Sequence, residues 1–190
     1  MNIPYEKKVS LEEFFKIREE NDALLEYVDG YILMSPSPST GHQRVSGDLL
    51  VELTLYFDSK ECEVFPAPFD VELYREGIEG TPIVIPDILI ICDKSGLDEK
   101  RYRGVPSLII EILSPSNQAH DLITKMNLYS KYGVKEYWVV NPVLKSIQIY
   151  TLNNEGSYVQ TDVLKDTGTI KSVIFDGLNI DMQKVFKNII

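Results

Sequence analysis

Two apolar runs, PDILIICD (86–93) and PSLIIEILS (106–114), constrain this chain most, because each carries an acid among residues suited to a buried strand. Asp87 opens the first run, and Glu111 sits inside the second between Ile and Leu. A carboxylate taken out of water without a partner costs several kcal/mol. Two of them on neighbouring strands make sense if they converge on a cation. A helical segment, HDLITKMNLYSKYG (120–133), follows and brings Lys125. An extended strand from Glu111 to Ser114 advances about 10 Å. If the SPSN turn (114–117) reverses the chain, Lys125 comes about eight helical residues later and roughly 12 Å back, level with Glu111. It also lies three residues after Leu122 and four before Tyr129, on the stripe expected to face the sheet. The competing reading of Lys125 is a stem that snorkels past the sheet edge to water. Taken with the two acids, its position points to metal-assisted hydrolysis.

The rest of the chain supplies a frame for that unit. Ser10 followed by Glu13 reads as a capping box opening a helix over 10–22. Residues 24–35 read as a hairpin turning at Asp29-Gly30. After the breaker PSPST (36–40), Val45, Leu49, Leu53 and Tyr56 or Phe57 form a helical stripe within 41–60. Strands are expected near 62–65, 69–74, 83–92 and 106–113, then a helix at about 118–132 and a strand at 136–141. The segment from 106 to 141 is a βαβ unit whose outer strands should be parallel. Trp138 and Tyr137 read as packing residues of its second strand. Further strands at 145–152, 157–164 and 169–175 and a helix at 181–188 complete the chain. The expected class is α/β (α+β): a mixed sheet flanked by helices in the order helix, three strands, helix, strand, in one domain spanning 1–190.

Charge and composition bound the function. A net charge of −10 argues against general affinity for nucleic acid, which rests on lysine and arginine. A local basic patch remains in the loop 93–104, with Lys94, Lys100, Arg101 and Arg103, although three acids dilute it. Cys62 and Cys92 match no metal-ligand spacing or disulfide framework and read as small buried hydrophobes. With no signal peptide and no bilayer-length apolar run, a cytoplasmic protein without a membrane partner is expected.

The quoted residues carry a resemblance. PDILIICD and VPSLIIEILSPSNQAHDLITKMNLYSKYGVKEYWVVNP (105–142), with YVDGYILMSPSPSTGHQRVSGDL (27–49), FDVEL (69–73) and FDGLNIDMQKVF (175–186), resemble the bacterial putative restriction endonuclease family. That family belongs to the PD-(D/E)XK nuclease superfamily, so the resemblance implies a restriction endonuclease-like fold, with a nuclease core at about 41–142. The superfamily pattern places Asp at the start of one strand and Glu-x-Lys on the next. Asp87 and Glu111 match it, whereas Leu113 stands at the lysine position. The chain is similar to branches in which that lysine has moved to the following helix, which makes Lys125 its substitute.

The resemblance implies hydrolysis of DNA phosphodiester bonds. Asp87, Glu111 and the main-chain carbonyl of Ile112 would hold Mg²⁺ or Mn²⁺, hard cations that prefer oxygen. Lys125 would orient the attacking water or stabilise developing charge. Three further residues are candidate accessories. Glu52 lies where some superfamily members place another metal ligand, or on an exposed helix face. His42 stands near a helix start, where it could touch a phosphate or cap the helix. Asp121 is one turn before Lys125 and could pair with it, or favour the helix N-terminus. Two other functions stay open: a catalytically silent module that binds nucleic acid or protein, and a hydrolase of another phosphate ester. A homodimer is compatible with the sequence, which contains no signal for oligomeric state.

Overall fold

The protein is described by a computed structural model covering residues 7–21, 23–34, 37–114 and 120–189, with the backbone alone for 120–122. The SPSN turn beyond Ser114 and the start of the PSPST breaker lie outside the described residues, as does the side chain of Asp121.

Local signals decide most of the elements. The Ser10 hydroxyl accepts the Glu13 N–H at 3.1 Å and opens α1 (Leu11–Glu19). The hairpin of β1 (Leu25–Val28) and β2 (Tyr31–Met34) turns through Asp29 and Gly30, with φ of 52° and 91°. Positive φ at both central residues is what a two-residue primed turn requires. The Ser39 hydroxyl caps α2 (Thr40–Phe57) by accepting the His42 N–H at 3.2 Å. That helix buries Val45, Leu49, Leu53 and Phe57 along the expected stripe, and His42 one turn earlier.

Next come β3 (Glu63–Pro66), β4 (Asp70–Leu73), β5 (Ile83–Val84), β6 (Ile88–Ile91), β7 (Arg101–Gly104) and β8 (Leu108–Ile112). The chain continues through α3 (His120–Tyr132), β9 (Glu136–Asn141), β10 (Ser146–Leu152), β11 (Tyr158–Lys165), β12 (Thr169–Lys171), β13 (Asn179–Asp181) and α4 (Met182–Val185). One sheet has the order β11-β10-β9-β8-β6-β3, and a second has the order β2-β1-β5-β4-β7. In the six-stranded sheet β3, β6 and β8 are antiparallel neighbours, while β8 and β9 run parallel across α3. The expected order of helix, three strands, helix and strand is therefore present as α2, β3, β6, β8, α3 and β9.

Period-two alternation along these strands builds two cores. Ile88, Ile90, Leu108, Ile110, Trp138 and Val140 pack with α2 and α4. Leu89, Ile91, Ile109, Tyr137 and Val139 pack with Leu128, Tyr129 and Tyr132 of α3 and with Val71, Leu73 and Val84 of the second sheet. Glu111 follows Ile109 in that alternation, so its carboxylate enters the layer shared by α3 and the second sheet.

Five expectations are corrected. The single strand expected over 83–92 is two, one in each sheet. Pro86 interrupts it by lacking an N–H, and the Ile85 N–H leaves the ladder for the Glu26 carboxylate, 2.7 Å away. The charged loop 93–104 contains β7, an edge strand parallel to β4, whose polar composition hides its pairing. The expected strand 169–175 stops at Lys171, because Glu136 and Ser172 take the next backbone N–H groups, and the terminal helix is only Met182–Val185. Cys62 and Cys92 form a disulfide rather than remaining free. The β3–β6 register runs from Pro66↔Ile88 to Glu63↔Ile91, and one further step sets the two cysteines opposite each other.

Candidate active site

The register that unites the cysteines has a counterpart at the other end of β6. Ile88 pairs with Ile110, so Asp87 enters the sheet opposite Glu111. Asp87 Oδ2 accepts the Ile112 N–H at 2.7 Å, which fixes the first acid to the strand carrying the second. Asp87 Oδ1 lies 3.1 Å from Nε2 of His42, on the first turn of α2. The other ring nitrogen of His42, Nδ1, is buried with no hydrogen-bond partner among the described residues.

Glu111 is met from α3. Its Oε1 accepts from Nζ of Lys125 at 3.0 Å and from the Tyr129 hydroxyl at 2.7 Å. Lys125 and Tyr129 are one helical turn apart, so both side chains reach the same carboxylate. Lys125 also lies 3.2 Å from Oε1 of Glu26, on β1 of the second sheet. Its side chain is 14% exposed, which contradicts snorkelling. Leu113 packs into the apolar layer beneath α3, leaving Lys125 as the cation that meets Glu111.

This pocket perturbs its own titration. Burial raises the Glu111 pKa; Lys125 opposes that, but Asp87 and Glu26 add to it, and the carboxyl is pushed up to about 7. Burial alone would push Lys125 down, yet Glu111 and Glu26 outweigh it and hold the ammonium charged well above its ordinary range. For His42, burial again lowers the pKa, and the hydrogen bond and charge of Asp87, helped by Glu111, reverse the shift to a net rise. Burial and the adjacent Glu111 raise Tyr129, keeping its hydroxyl a donor.

The accessory candidates separate. His42 belongs to the pocket. Glu52 does not join it: its Oε2 pairs with Nζ of Lys184 at 2.9 Å and ties α2 to α4. Asp70, the acid on β4, holds Arg18 of α1 through bonds of 2.6 and 2.7 Å. Lys94 pairs with Glu63, while Arg101 and Arg103 both pair with Glu72, so the basic loop is largely neutralised. Trp138 and Tyr137 are fully buried in β9, as a core strand requires. Sequence reasoning missed Glu26 and the polar role of Tyr129. The signals were an acid within the apolar strand LEYV and a hydroxyl one turn from Lys125 on the covered face.

Helices on a mixed sheet, in the order helix, three strands, helix, strand, define a restriction endonuclease-like fold. The chain belongs to the Uma2 family, described as Putative restriction endonuclease, which it matches over residues 11–183. It is similar to two uncharacterized proteins of Synechocystis. One is 24% identical, with 96% of this chain and 93% of the relative covered. The other is 22% identical, with 87% and 93% covered. A crystal structure of a putative nuclease belonging to DUF820 from Anabaena variabilis superposes with a TM-score of 0.76, at 19% identity, over 94% of this chain and 98% of that one. Among the described residues no helix is long and apolar enough to cross a membrane.

Proposed function

We propose that the protein is a metal-dependent endonuclease that hydrolyses DNA phosphodiester bonds at the Asp87–Glu111–Lys125 pocket. One observation carries this reading: a buried lysine bonded to a buried glutamate, inside a pocket that still holds two other acids, Asp87 and Glu26. A pocket with this excess of carboxylate suits a second cation. Among the described residues no three His, Cys, Asp or Glu side chains form a ready cage. Mg²⁺ or Mn²⁺ would not need such a cage, because Mg²⁺ characteristically keeps several waters and takes only one or two protein carboxylates. Asp87, Glu111 and the Ile112 carbonyl would hold the ion. Lys125 and Tyr129 both address Oε1 of Glu111, so Oε2 is the oxygen assigned to it.

A cation bound there supplies Lewis acidity toward a phosphate oxygen and lowers the pKa of a coordinated water. The chain's own groups do the rest. The Ile112 N–H and the His42 ring aim the Asp87 carboxylate. Tyr129 holds Glu111 against rotation without adding charge. Lys125 places a fixed positive charge beside the reacting phosphate, where it stabilises negative charge as it develops.

Purified protein should nick or cleave plasmid DNA with Mg²⁺ or Mn²⁺ at low ionic strength, and a chelator should stop it. Cleavage that persists in Asp87→Ala and Glu111→Ala would place the activity elsewhere. The ion-paired loop cations favour a second reading, a hydrolase of a smaller phosphate ester, which does not need a long basic groove. Turnover of an aryl phosphate diester without DNA cleavage would select it. Absence of both, with metal binding intact, would select the silent binding module.

A further inference from the structure

We propose that Glu26 is the positioning residue for Lys125, holding the ammonium in the pocket when Glu111 is engaged by a metal ion. The proposal deepens the nuclease reading, on which its metal-dependent part rests. Nζ of Lys125 is shared between two acids, at 3.2 Å from Glu26 Oε1 and 3.0 Å from Glu111 Oε1. The two acids come from different sheets, Glu26 from β1 and Glu111 from β8.

The need for a second anchor follows from where the lysine is attached. Lys125 reaches the pocket from a helix by four flexible carbons, so the backbone of β8 does not hold its ammonium beside Glu111. With a cation held at Glu111, that ammonium would be repelled and would share the same carboxylate, so the bond that Lys125 makes there would weaken. Glu26 is held facing the lysine. Its Oε1 cannot swing toward the metal without giving up the Ile85 N–H, bonded at 2.7 Å, which has left the strand ladder for this oxygen. The side chain is 5% exposed, so water competes little for it. Ile85 lies two residues before Asp87, so one short turn fixes both the lysine's anchor and the first of the proposed metal ligands.

Two measurements test this. In the first, metal-free protein is treated with an amine-acylating reagent and labelling of Lys125 is followed by mass spectrometry. Wild type and Glu111→Gln should both protect Lys125, because Glu26 suffices to hold it. Glu26→Gln combined with Glu111→Gln should label about tenfold faster, the scale of one lost charge-assisted bond. If Glu111→Gln alone labels as fast as the double variant, Glu111 is the anchor and the proposal falls.

The second measurement needs no double-carboxylate variant and so survives a failure of that protein to fold. Mn²⁺ binding is titrated by calorimetry in wild type, Glu26→Gln, Lys125→Met and the combination of the last two. Glu26→Gln keeps an acceptor for the Ile85 N–H while removing the charge that draws Lys125 from Glu111. It should weaken Mn²⁺ about tenfold in the wild-type background and leave it unchanged in Lys125→Met, where no ammonium competes. An equal loss in both backgrounds would make Glu26 a metal ligand or a distant field, and overturn the proposal. Wild type that takes up no Mn²⁺ would sink the metal-site reading, and labelling would then decide the anchor by itself.

Discussion

Glu111 and Glu136 lie in adjacent strands of the same sheet, both buried, and their surroundings are opposite. Glu136 accepts from the Trp138 indole N–H at 2.6 Å, the Ser172 hydroxyl at 3.1 Å, and the Val173 and Ile174 N–H groups at 2.8 and 3.1 Å. Four neutral donors saturate it, and they pin the C-terminal segment to β9. Glu111 instead faces one cation, one phenol and two acids. Burial raises both carboxyls, and hydrogen bonds ease Glu136 back; at Glu111, Lys125 and the Tyr129 hydroxyl also ease the rise, but Asp87 and Glu26 add to it. Neutral donors that close around a carboxylate make it a structural rivet. The unbalanced charges around Glu111 are what support the proposed metal site.

The largest effect that could break this contrast is on activity. Asp87→Ala and Glu111→Ala should each lower DNA cleavage by roughly two orders of magnitude or more, in line with the loss of a principal electrostatic contributor. Glu136→Gln, if folded, should cleave at close to the wild-type rate. Comparable losses at all three positions in a plasmid assay would erase the distinction.

Stability should rank Glu111 and Glu136 the other way round, with Lys125 costly because it is shared by two buried acids. Lys125→Met leaves Glu26 and Glu111 buried together without their shared cation, a change expected to cost about 3–5 kcal/mol in urea melts. Glu136→Ala strands the Val173 and Ile174 N–H groups and the Trp138 indole, at about 1–3 kcal/mol for each donor that water cannot reach. Glu111→Gln in metal-free buffer at pH 8 should be tolerated or mildly stabilising, because it removes a charge that the pocket disfavours. A Glu111→Gln protein as damaged as Glu136→Ala would mark both acids as structural.

The smallest effect is a pH dependence. The folded pKa of Glu111, about 7, stands above its ordinary 4.5, so its protonated form stabilises the fold. That contribution is complete below 4.5 and is lost as pH rises through about 7. His42 and Glu136 are also raised and act with the same sign, so the difference between wild type and Glu111→Gln is the informative quantity. Metal-free wild type should lose more stability across that window than the variant does. Mg²⁺ should bind more tightly as pH rises, because it displaces a proton from Glu111. Parallel melting curves for the two proteins would remove the titration from Glu111.

The readable part of the candidate site was the part carried by contiguous chain. Asp87 and Glu111 stood out because each interrupted an apolar strand, and Lys125 because helical periodicity turned it toward them. Glu26 had a similar sign, an acid between Leu25 and Tyr27. It was hidden because its meaning depends on the second sheet packing over the first. Glu52 is the opposite case. Its helix position admitted either a ligand role or an exposed face, and the docking of α4 supplied Lys184 as its partner.

By itself the sequence determined whatever follows from local stereochemistry: the Ser10 and Ser39 caps, the Asp29-Gly30 turn, the α2 stripe, and the βαβ unit with its two acids and its lysine. Such features rest on dihedral preferences and periodicity, which neighbouring residues encode. Tertiary structure alone decided the division of 83–92 between two sheets, the pairing of Cys62 with Cys92, and the arrival of Glu26 at Lys125. These depend on strand register and layer packing, where partners distant in sequence compete for the same backbone groups and the same buried charge. A carboxylate's residue type is written in the chain, but whether it is a rivet or a site depends on which donors the folded layers bring to it.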